Sequence, residues 1–445
     1  MFGERLRYWR EVAGLTQTQL ADRLGYHHTY ISKLESGGRR PPSDLARRAD
    51  ELLGAGGDLA TFARSDGRWP LTGDPGSIVD PLPGTGFAAE RADTAVQHWS
   101  ARFPVYGIVC PLHSRTGCTA SVADTPIAEL LGRQPSKPRA AVVHGFAALL
   151  AGYSQLNLER ATTDIIAPVE RCVHAISRAM DGAGKPVALA LSSLAAHFAD
   201  LAGWLRVESG QNGLGMAWFQ RGLDWARASD NVPAQCALFA RMSGVARLEG
   251  DGHSAITYAT AAQATDPRRR WAALYGQLHA ARGHAQLGDG REFDRVAGEV
   301  LTLAERLGER DQVEAPWLCG AEGQTFVSSF LSGGLRDLAK RSGDVRPAAR
   351  AAELARRSLV TLPRQMYPSR VLLTLRLADS HACAGELDAA VATAGPVVAE
   401  AQRVRMALIG RELAGLRARL ARGGALTALD NTVLARTRND HSAVG

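Results

Sequence analysis

The sequence LTQTQLADRLGYHHTYISKLESG, residues 15–37, carries the most specific pattern in the chain. Thr16 and Gln19 have the spacing of a capping box, so a helix is predicted to begin at Gln17. Gly25 supplies the residue type that ends a helix in a tight turn. The stretch therefore predicts a short helix that is followed at once by a change of direction.

A second helix is predicted over residues 28–36, and the spacing of its apolar residues continues that of the first helix. Counted from the first helical residue, the pattern needs apolar side chains at the fourth, eighth, fifteenth and eighteenth positions, a small one at the fifth and glycine at the ninth. These positions hold Leu20, Leu24, Ile31, Leu34, Ala21 and Gly25, so every requirement is met. Two helices joined by so short a turn cross closely, which is why the fifth position must be small.

This segment resembles the helix-turn-helix of the XRE family, the type of the lambda and 434 phage repressors, over roughly residues 3–65. The resemblance implies an all-α, five-helix DNA-binding domain. In that domain the first helix covers residues 4–13, the second 17–24 and the recognition helix 28–36. A helical hairpin with no DNA role is the alternative.

The resemblance also implies which side chains contact double-stranded operator DNA. Base-reading positions of the family correspond to His28, Thr29 and Lys33, and phosphate-contacting positions to Gln17, His27, Tyr30, Arg39 and Arg40. Arg10 and Glu35 match a structural ion pair between the first helix and the recognition helix. His27 stands where the family usually has a Ser or Thr cap, and His28 and Thr29 replace its glutamine or arginine base readers, so the operator sequence cannot be carried over.

Length and composition extend the prediction to the whole chain. At 445 residues the chain exceeds one compact core, and 45% hydrophobic with 22% charged residues excludes a disordered protein. Aromatic residues make up only 6%, which favours closely packed helices and an all-α fold. The predicted organisation is a helix-turn-helix domain at 1–65, a Gly/Pro-rich linker at 66–87, a connecting segment without an assigned structure at 88–138, a repeat domain at 139–425 and a basic, flexible tail at 426–445. Within the connecting segment a helix is predicted over residues 88–103.

The sequence also indicates where the protein acts. Residues 1–14 are charged at every turn and lack the apolar core of an export signal, so we expect a cytoplasmic protein. The most apolar stretch, residues 187–205, contains His197 and Asp200, which favours a buried helix over a membrane span. Six cysteines spread over the chain suit reduced thiols.

A recurrent unit follows the linker. Turn glycines recur at Gly210, Gly250, Gly288, Gly343 and Gly385, with spacings of 40, 38, 55 and 42 residues. The residue seven before is small at Gly203, Ser243, Ala281 and Ala378; the residue five after is small at Gly215, Ala255, Ala348 and Ala390, and Phe293 departs from this rule. Small residues at fixed places allow antiparallel helices to pack closely. These units resemble tetratricopeptide repeats, with a generic α-solenoid as the alternative.

Arrays of this kind present a concave face formed by the first helix of each pair. On this register the inward-facing residues, and hence the candidate ligand-binding residues, are His197, Asp200, Trp204, Glu208, Arg247, Tyr275 and Arg282, with Asp379 beside them. For any one of them, a contact between repeats is a commoner role than ligand binding. The combination resembles actinobacterial regulators and the peptide-sensing regulators of Gram-positive bacteria, which implies a homodimer and a small-molecule or peptide effector. The alternative is a DNA-binding protein whose repeats only hold another protein.

Other chemistry is weakly indicated. The stretch GAGKP at residues 182–186 lacks the first glycine and the hydroxyl of a phosphate loop. Cys110, His113 and Cys118 could hold zinc if His98 or His144 completed the site, but the spacing matches no zinc-finger pattern, and free cysteines are expected. We therefore expect no enzyme activity, no cofactor and no bound metal, while an enzyme or metal sensor centred on this cluster remains the rival. The basic stretch at residues 403–438 is expected to be solvated or to contact DNA or a partner.

Overall fold

The structure is a computed structural model of the chain. It describes residues 2–36, 43–55, 59, 100–102, 111–112, 119–121, 140–160, 163–362, 366–404 and 406–442. Within these ranges there are twenty α-helices, two 3₁₀ turns and one pair of three-residue strands. The predicted all-α fold class is confirmed. The predicted linker at 66–87 lies outside the described residues, as does most of the segment at 88–138.

Four helices form the described part of the N-terminal domain: α1 (Phe2–Val12), α2 (Gln17–Leu24), α3 (His28–Glu35) and α4 (Ser43–Leu53). The Thr16 hydroxyl accepts from the backbone N–H of Gln19, and the Gln19 side chain accepts from that of Thr16, which completes the predicted capping box. Gly25 ends α2 in the left-handed conformation at φ +75°. Of the predicted fifth helix, residues 58–64, only Leu59 is described; it is buried.

The core of this domain is built from residues that the sequence pattern singled out. Leu20, Ala21, Leu24, Ile31 and Leu34 are buried in one apolar cluster, together with residues from α1 and α4. The first helix crosses the third so closely that a Cβ on residue Gly3 would lie 2.1 Å from the carbonyl oxygen of Leu34. The third helix is therefore fixed against α1 as well as against α2.

A strand pair interrupts the connecting segment. β1 (Ser100–Arg102) pairs antiparallel with β2 (Thr119–Ser121), with Ala101 opposite Ala120. The helix predicted over residues 88–103 is therefore wrong at its C-terminal end. A proline disfavours helical backbone at the residue before it. Pro104 directly follows the last residue of the predicted helix.

The remaining helices occupy the chain from residue 140 onward. They are α5 (Ala140–Arg160), α6 (Ile166–Asp181), α7 (Lys185–Glu208), α8 (Asn212–Ala228), α9 (Val232–Leu248), α10 (Gly252–Thr265), α11 (Arg270–Leu287), α12 (Gly290–Ala304), α13 (Glu309–Glu314), α14 (Gly320–Ser342), α15 (Val345–Thr361), α16 (Tyr367–Cys383), α17 (Leu387–Ala394), α18 (Val398–Arg403), α19 (Ala407–Arg422) and α20 (Leu426–Ser442). Thr163–Ile165 and Pro316–Leu318 form the 3₁₀ turns. Successive helices pack as pairs, which gives a helical, repeat-like stretch.

The turns of these pairs agree with the sequence register. The five predicted turn glycines all adopt positive φ, between 71° and 85°, and each lies one or two residues after the end of a helix. In the second unit the small positions meet directly, because the Ser243 hydroxyl donates to the carbonyl oxygen of Ala255 at 2.6 Å. The register read from the glycines therefore places the helix pairs correctly.

The chain divides into two compact units. The smaller unit contains Met1–Thr85 and Gly203–Trp218, and the larger contains Gly86–Ala202 and Phe219–Gly445. The predicted domains did not include this grouping of 203–218 with the N-terminal residues. Within the smaller unit the Gln211 amide donates to the carbonyl oxygen of Ala55 at 3.5 Å.

The C-terminal residues 426–445, predicted as a flexible tail, contain α20 and are helical up to Ser442. Leu429 is fully buried, and Arg417 of α19 pairs with Asp430 of α20 at 2.9 Å. The prediction rested on the basic charge of this segment, whereas its buried leucine anchors the last helix.

One described helix, α7, is long and apolar enough to cross a membrane by length and composition alone. In its most apolar window, 61% of the residues are buried inside the protein. This burial agrees with the expectation of a packed helix over residues 187–205.

Candidate nucleic-acid interface

The exposed face of α3 brings together the side chains that were predicted to read bases. His28, Thr29 and Lys33 are all exposed, whereas Ile31 and Leu34 point into the domain core. A helix repeats every 3.6 residues, so the exposed three share one face and the buried two share the opposite one. The packing of the hairpin thus leaves the polar face of α3 available.

Sequence reasoning missed one member of this face. Ser32 is exposed and lies three residues after Thr29 and one before Lys33. Helical spacing alone could have found it, since residues at i and i+3 are neighbours on a helix surface. A serine hydroxyl both donates and accepts hydrogen bonds, so it suits contact with either bases or phosphates.

The start of α3 is held by a local cap. His27 is the N-cap residue, and its Nδ1 accepts from the backbone N–H of Thr29 at 3.4 Å. The same nitrogen lies 2.9 Å from the Thr29 hydroxyl, and the rings of His27 and His28 are 4.4 Å apart. Histidine therefore does cap this helix, although over a longer distance than that of a typical N–H···O cap bond.

A buried carboxylate connects the first three helices. Glu35 accepts from the Arg10 guanidinium at 2.6 Å through Nε and at 3.0 Å through the second nitrogen, which confirms the predicted ion pair. The hydrogen bond to Glu35 raises the pKa of Arg10. Glu35 also accepts from the Gln17 amide at 2.7 Å. An amide nitrogen carries two hydrogens, so Gln17 keeps one for the predicted phosphate contact while Glu35 orients the other.

The remaining predicted phosphate contacts are only partly described. Tyr30 is half-buried and stacks on Tyr26, with ring centroids 5.0 Å apart and planes 13° from parallel. Arg39 and Arg40 lie outside the described residues. On the neighbouring surface, Arg48 of α4 donates to the carbonyl oxygen of Leu24 at 2.8 Å and so caps the C-terminal end of α2.

The predicted effector-binding residues of the larger unit contact neighbouring helices. A nitrogen of the His197 ring lies 3.1 Å from the amide nitrogen of Asn231, and Asp200 accepts from Arg241 at 2.9 Å. Burial lowers the pKa of His197. Arg282 donates to Asp337 of α14 at 2.8 Å. These contacts match the alternative in which such residues join successive helices.

Tyr275, Trp204 and Glu208 have different surroundings. Tyr275 is buried among aromatic rings, with centroids 4.9 Å from that of His279, 6.0 Å from that of Phe326 and 6.4 Å from that of Trp317. Burial raises the pKa of Tyr275. Trp204 and Glu208 belong to the smaller unit, where Trp204 is half-buried and Glu208 is buried.

The charged groups near Arg247 include ion pairs that the sequence did not predict. Arg336 stands seven residues before Gly343, at the position that is small in the other four units. Arg336 is 3% exposed and lies 2.8 Å from Glu412. A charged residue at a position that is small in the other units was the available signal for this cluster.

The candidate metal site cannot be placed. Cys110, His113, Cys118 and His98 lie outside the described residues, and His144 is on α5. Among the described residues no group of three or more His, Cys, Asp or Glu side chains has a metal-binding arrangement.

A protein-family model described as a helix-turn-helix domain matches residues 1–62 of the chain. No curated protein and no solved structure matches the chain significantly. The match covers α1 to α4, the same helices that expose the polar face of α3. The N-terminal domain is therefore a helix-turn-helix domain, which favours a DNA-binding regulator over an enzyme.

Proposed function

We propose that this protein is a sequence-specific transcriptional regulator that binds operator DNA as a homodimer in the cytoplasm. The observation that carries the proposal is the face of α3, where His28, Thr29 and Lys33 are exposed while the opposite face is buried. Side chains on such a face reach base edges in the major groove, and phosphate contacts supply most of the affinity. His27, Tyr30, Arg39, Arg40 and Gln17 are assigned to those phosphates.

We further propose that the helical repeats are tetratricopeptide-like, join two copies of the chain and bind a small-molecule or peptide effector. The positive-φ turn glycines and the small residues between paired helices support the repeat assignment. An effector changes DNA binding only if it prefers one of two dimer arrangements. The larger unit is the part of the chain with enough surface for both roles.

The experiment that tests operator binding is selection of bound fragments from a random DNA library with the full chain. We expect enrichment of a palindromic site whose half-sites lie about one helical turn apart. Genome-wide mapping of bound DNA should recover the same site. Enrichment of no common sequence would contradict sequence-specific binding.

A further inference from the structure

A cluster of buried and half-buried charges crosses the larger unit from α9 to α19. Its six cationic side chains are Arg247, Arg282, Arg336, Lys340, Arg376 and Arg419, and its three carboxylates are Asp337, Asp379 and Glu412. Below we call these nine residues the cationic cluster. Its cations outnumber its carboxylates by three, so the described groups do not balance one another.

Each carboxylate of the cationic cluster is already engaged. Glu412 lies 2.8 Å from Arg336 and 2.9 Å from Arg376. The nearby arginines hold the pKa of Glu412 well below its usual range, against the opposing effect of burial, so this carboxylate is ionised at neutral pH. The pKa of Asp337 is also lowered, because Arg282 donates to this carboxylate and, together with the other nearby cations, outweighs the effect of burial.

Asp379 has the most cationic neighbours. It lies 2.7 Å from Lys340, 2.9 Å from Arg419 and 3.5 Å from Arg336. These cations lower its pKa although burial opposes the shift. The three carboxylates are therefore all in ion pairs before a further cation is considered, although Asp379 Oδ2 makes no hydrogen bond among the described residues.

Arg247 is that further cation. It is half-buried, and no ion pair joins it to any residue in the part of the chain that the structure describes. Burial, followed by repulsion from Arg282, lowers its pKa to about 9. Asp337 attracts it, but this carboxylate already accepts from Arg282. A desolvated cation without a partner destabilises a fold unless an anion is supplied.

Unpaired polar atoms lie on two arginines of the cationic cluster and on His279. Arg282 and Arg336 are each 3% exposed, and the Nε–H of each has no acceptor among the described residues. His279 is also buried, and its Nε2 has no hydrogen-bond partner there. Buried polar atoms normally find partners. The acceptors Asp379 Oδ2 and Gln286 Oε1 also lack one, and it is the excess of positive charge that favours an anion as the missing partner.

The backbone makes room for these donors. A Cβ on Gly333 would lie 2.4 Å from one guanidinium nitrogen of Arg282, so the absence of a side chain at residue 333 lets the guanidinium lie flat against α14. Arg282 is thereby fixed on one side while its bond to Asp337 fixes it on another. The groups near Arg247 are thus held in place before any ligand arrives.

We propose that the cationic cluster binds an oxyanion, a carboxylate or a phosphate group, and that Arg247 contacts it. The planar guanidinium fork binds such groups through two parallel hydrogen bonds. The proposal that an anion binds here is argued from the cationic cluster alone. The further statement that this anion is part of the regulatory effector rests on the proposed function. The effector is then a negatively charged molecule.

The test is thermal unfolding of the full chain in sodium phosphate, in sodium succinate and in sodium chloride of equal ionic strength. Either oxyanion, at about five times its dissociation constant, should raise the unfolding midpoint by about 2 °C relative to chloride. A larger rise in phosphate indicates a phosphate-bearing ligand, and a larger rise in succinate a carboxylate-bearing one. No rise above chloride with either salt overturns the proposal.

Arg247→Gln should abolish the rise, and Arg247→Lys, which keeps the charge without the fork, should at least halve it. The matched control is Arg357→Gln, which removes an arginine whose side chain is 69% exposed and leaves the oxyanion response unchanged. A full rise in both Arg247 variants overturns the proposal. Failure of one variant to fold leaves the other to decide.

A second readout separates this inference from the proposed function. The thermal measurement contains no DNA, so it reports the anion site even if the chain does not bind an operator. Operator affinity measured in phosphate and in chloride then tests whether the site regulates DNA binding. If the wild type shows no rise in the unfolding midpoint, the anion site is contradicted. The helix-turn-helix assignment is unaffected by that result.

Discussion

At the scale of single residues, Glu35 does most to hold the DNA-binding face in position. It lies on α3, accepts from Arg10 on α1 and also accepts from Gln17 at the start of α2. Its side chain is only 4% exposed, so its charge depends on these partners. The same carboxylate therefore joins three helices and orients a predicted phosphate contact.

Glu35→Ala should lower the free energy of unfolding of the N-terminal domain by about 3 kcal/mol, because the buried Arg10 then keeps only one backbone acceptor and one 3.4 Å contact to a carboxylate. Hydrogen exchange of peptides covering residues 2–36 in the full chain measures this locally. Glu51→Ala is the matched control, since its pair with Arg47 is exposed and contributes at most about 1 kcal/mol. Equal exchange in both variants would show that the buried pair does not stabilise the domain.

Lys33 and Thr29 should determine sequence preference. Lys33→Ala and Thr29→Ala are each expected to reduce the difference in binding free energy between operator and random DNA by about 1 to 3 kcal/mol. Gln17→Ala should weaken binding to both DNAs by similar amounts, because a phosphate contact carries no sequence information. Fluorescence anisotropy at fixed salt measures all three.

The control for the loss of a positive charge is Arg7→Ala, which removes an exposed cation from α1. It should change the binding of operator and of random DNA equally. If Lys33→Ala also weakens both DNAs equally, α3 is not the helix that reads bases.

His279 gives the larger unit a pH dependence with a defined sign. Burial and the nearby arginines Arg247, Arg241 and Arg282 hold its pKa well below that of a free histidine. Below pH of about 6.5 the unfolded chain gains a proton that the folded chain does not, so the free energy of unfolding falls as pH decreases.

His279→Gln should flatten this fall between pH 6.5 and pH 5 by up to about 1.4 kcal/mol per pH unit. Urea unfolding at a series of pH values measures it. His253→Gln, which removes a histidine from an exposed position of α10, is the matched control. An unaltered slope in the His279 variant would show that the folded protein takes up this proton.

At the scale of elements, the sequence predicted α2 and α3 to within one residue because local chemistry determines both ends. Thr16 and Gln19 define the start of α2, and Gly25 defines its end. The turn glycines of the repeats were predictable for the same reason. The strand at Ser100–Arg102 was not, since it depends on pairing with residues 119–121, distant in the sequence.

The cationic cluster illustrates the same limit within one site. The register identified Arg247, Arg282 and Asp379 as inward-facing residues on the first helix of their pairs. It could not show that Glu412, on a helix outside that register, accepts from Arg336 and Arg376. Contacts between side chains far apart in the sequence require the folded chain.

Ala21→Leu tests the helix crossing. Ala21 is fully buried between α2 and its neighbours, so three extra carbon atoms should overpack the hairpin and cost about 1 to 3 kcal/mol. Hydrogen exchange in residues 2–36 should rise and operator affinity should fall. Asp22→Leu places the same side chain at the adjacent exposed position and should leave exchange unchanged. Full operator affinity in the Ala21 variant would contradict the assigned packing.

At the scale of the whole molecule, DNA binding and assembly are assigned to different parts of the chain. In the part of the chain that the structure describes, an apolar core of the N-terminal domain is formed by residues between Phe2 and Leu59. The larger unit has separate apolar cores, one around Trp271 and Phe293 and another around Leu375 and Leu416. Because these cores are separate, residues 1–66 retain the apolar core of the domain and lose the contact of Gln211 with Ala55.

A fragment of residues 1–66 should therefore fold, remain monomeric and bind operator DNA more weakly than the full chain. Two linked domains bind half-sites with an effective concentration that a monomer lacks, which is worth about 10² to 10⁴ in affinity. Sedimentation velocity gives the assembly state, and anisotropy on one half-site and on two gives the gain from pairing. The full chain should prefer the double site strongly, whereas the fragment should bind each half-site independently. A fragment that dimerises and matches the full chain on the double site would place the dimer contact in the N-terminal domain rather than in the repeats.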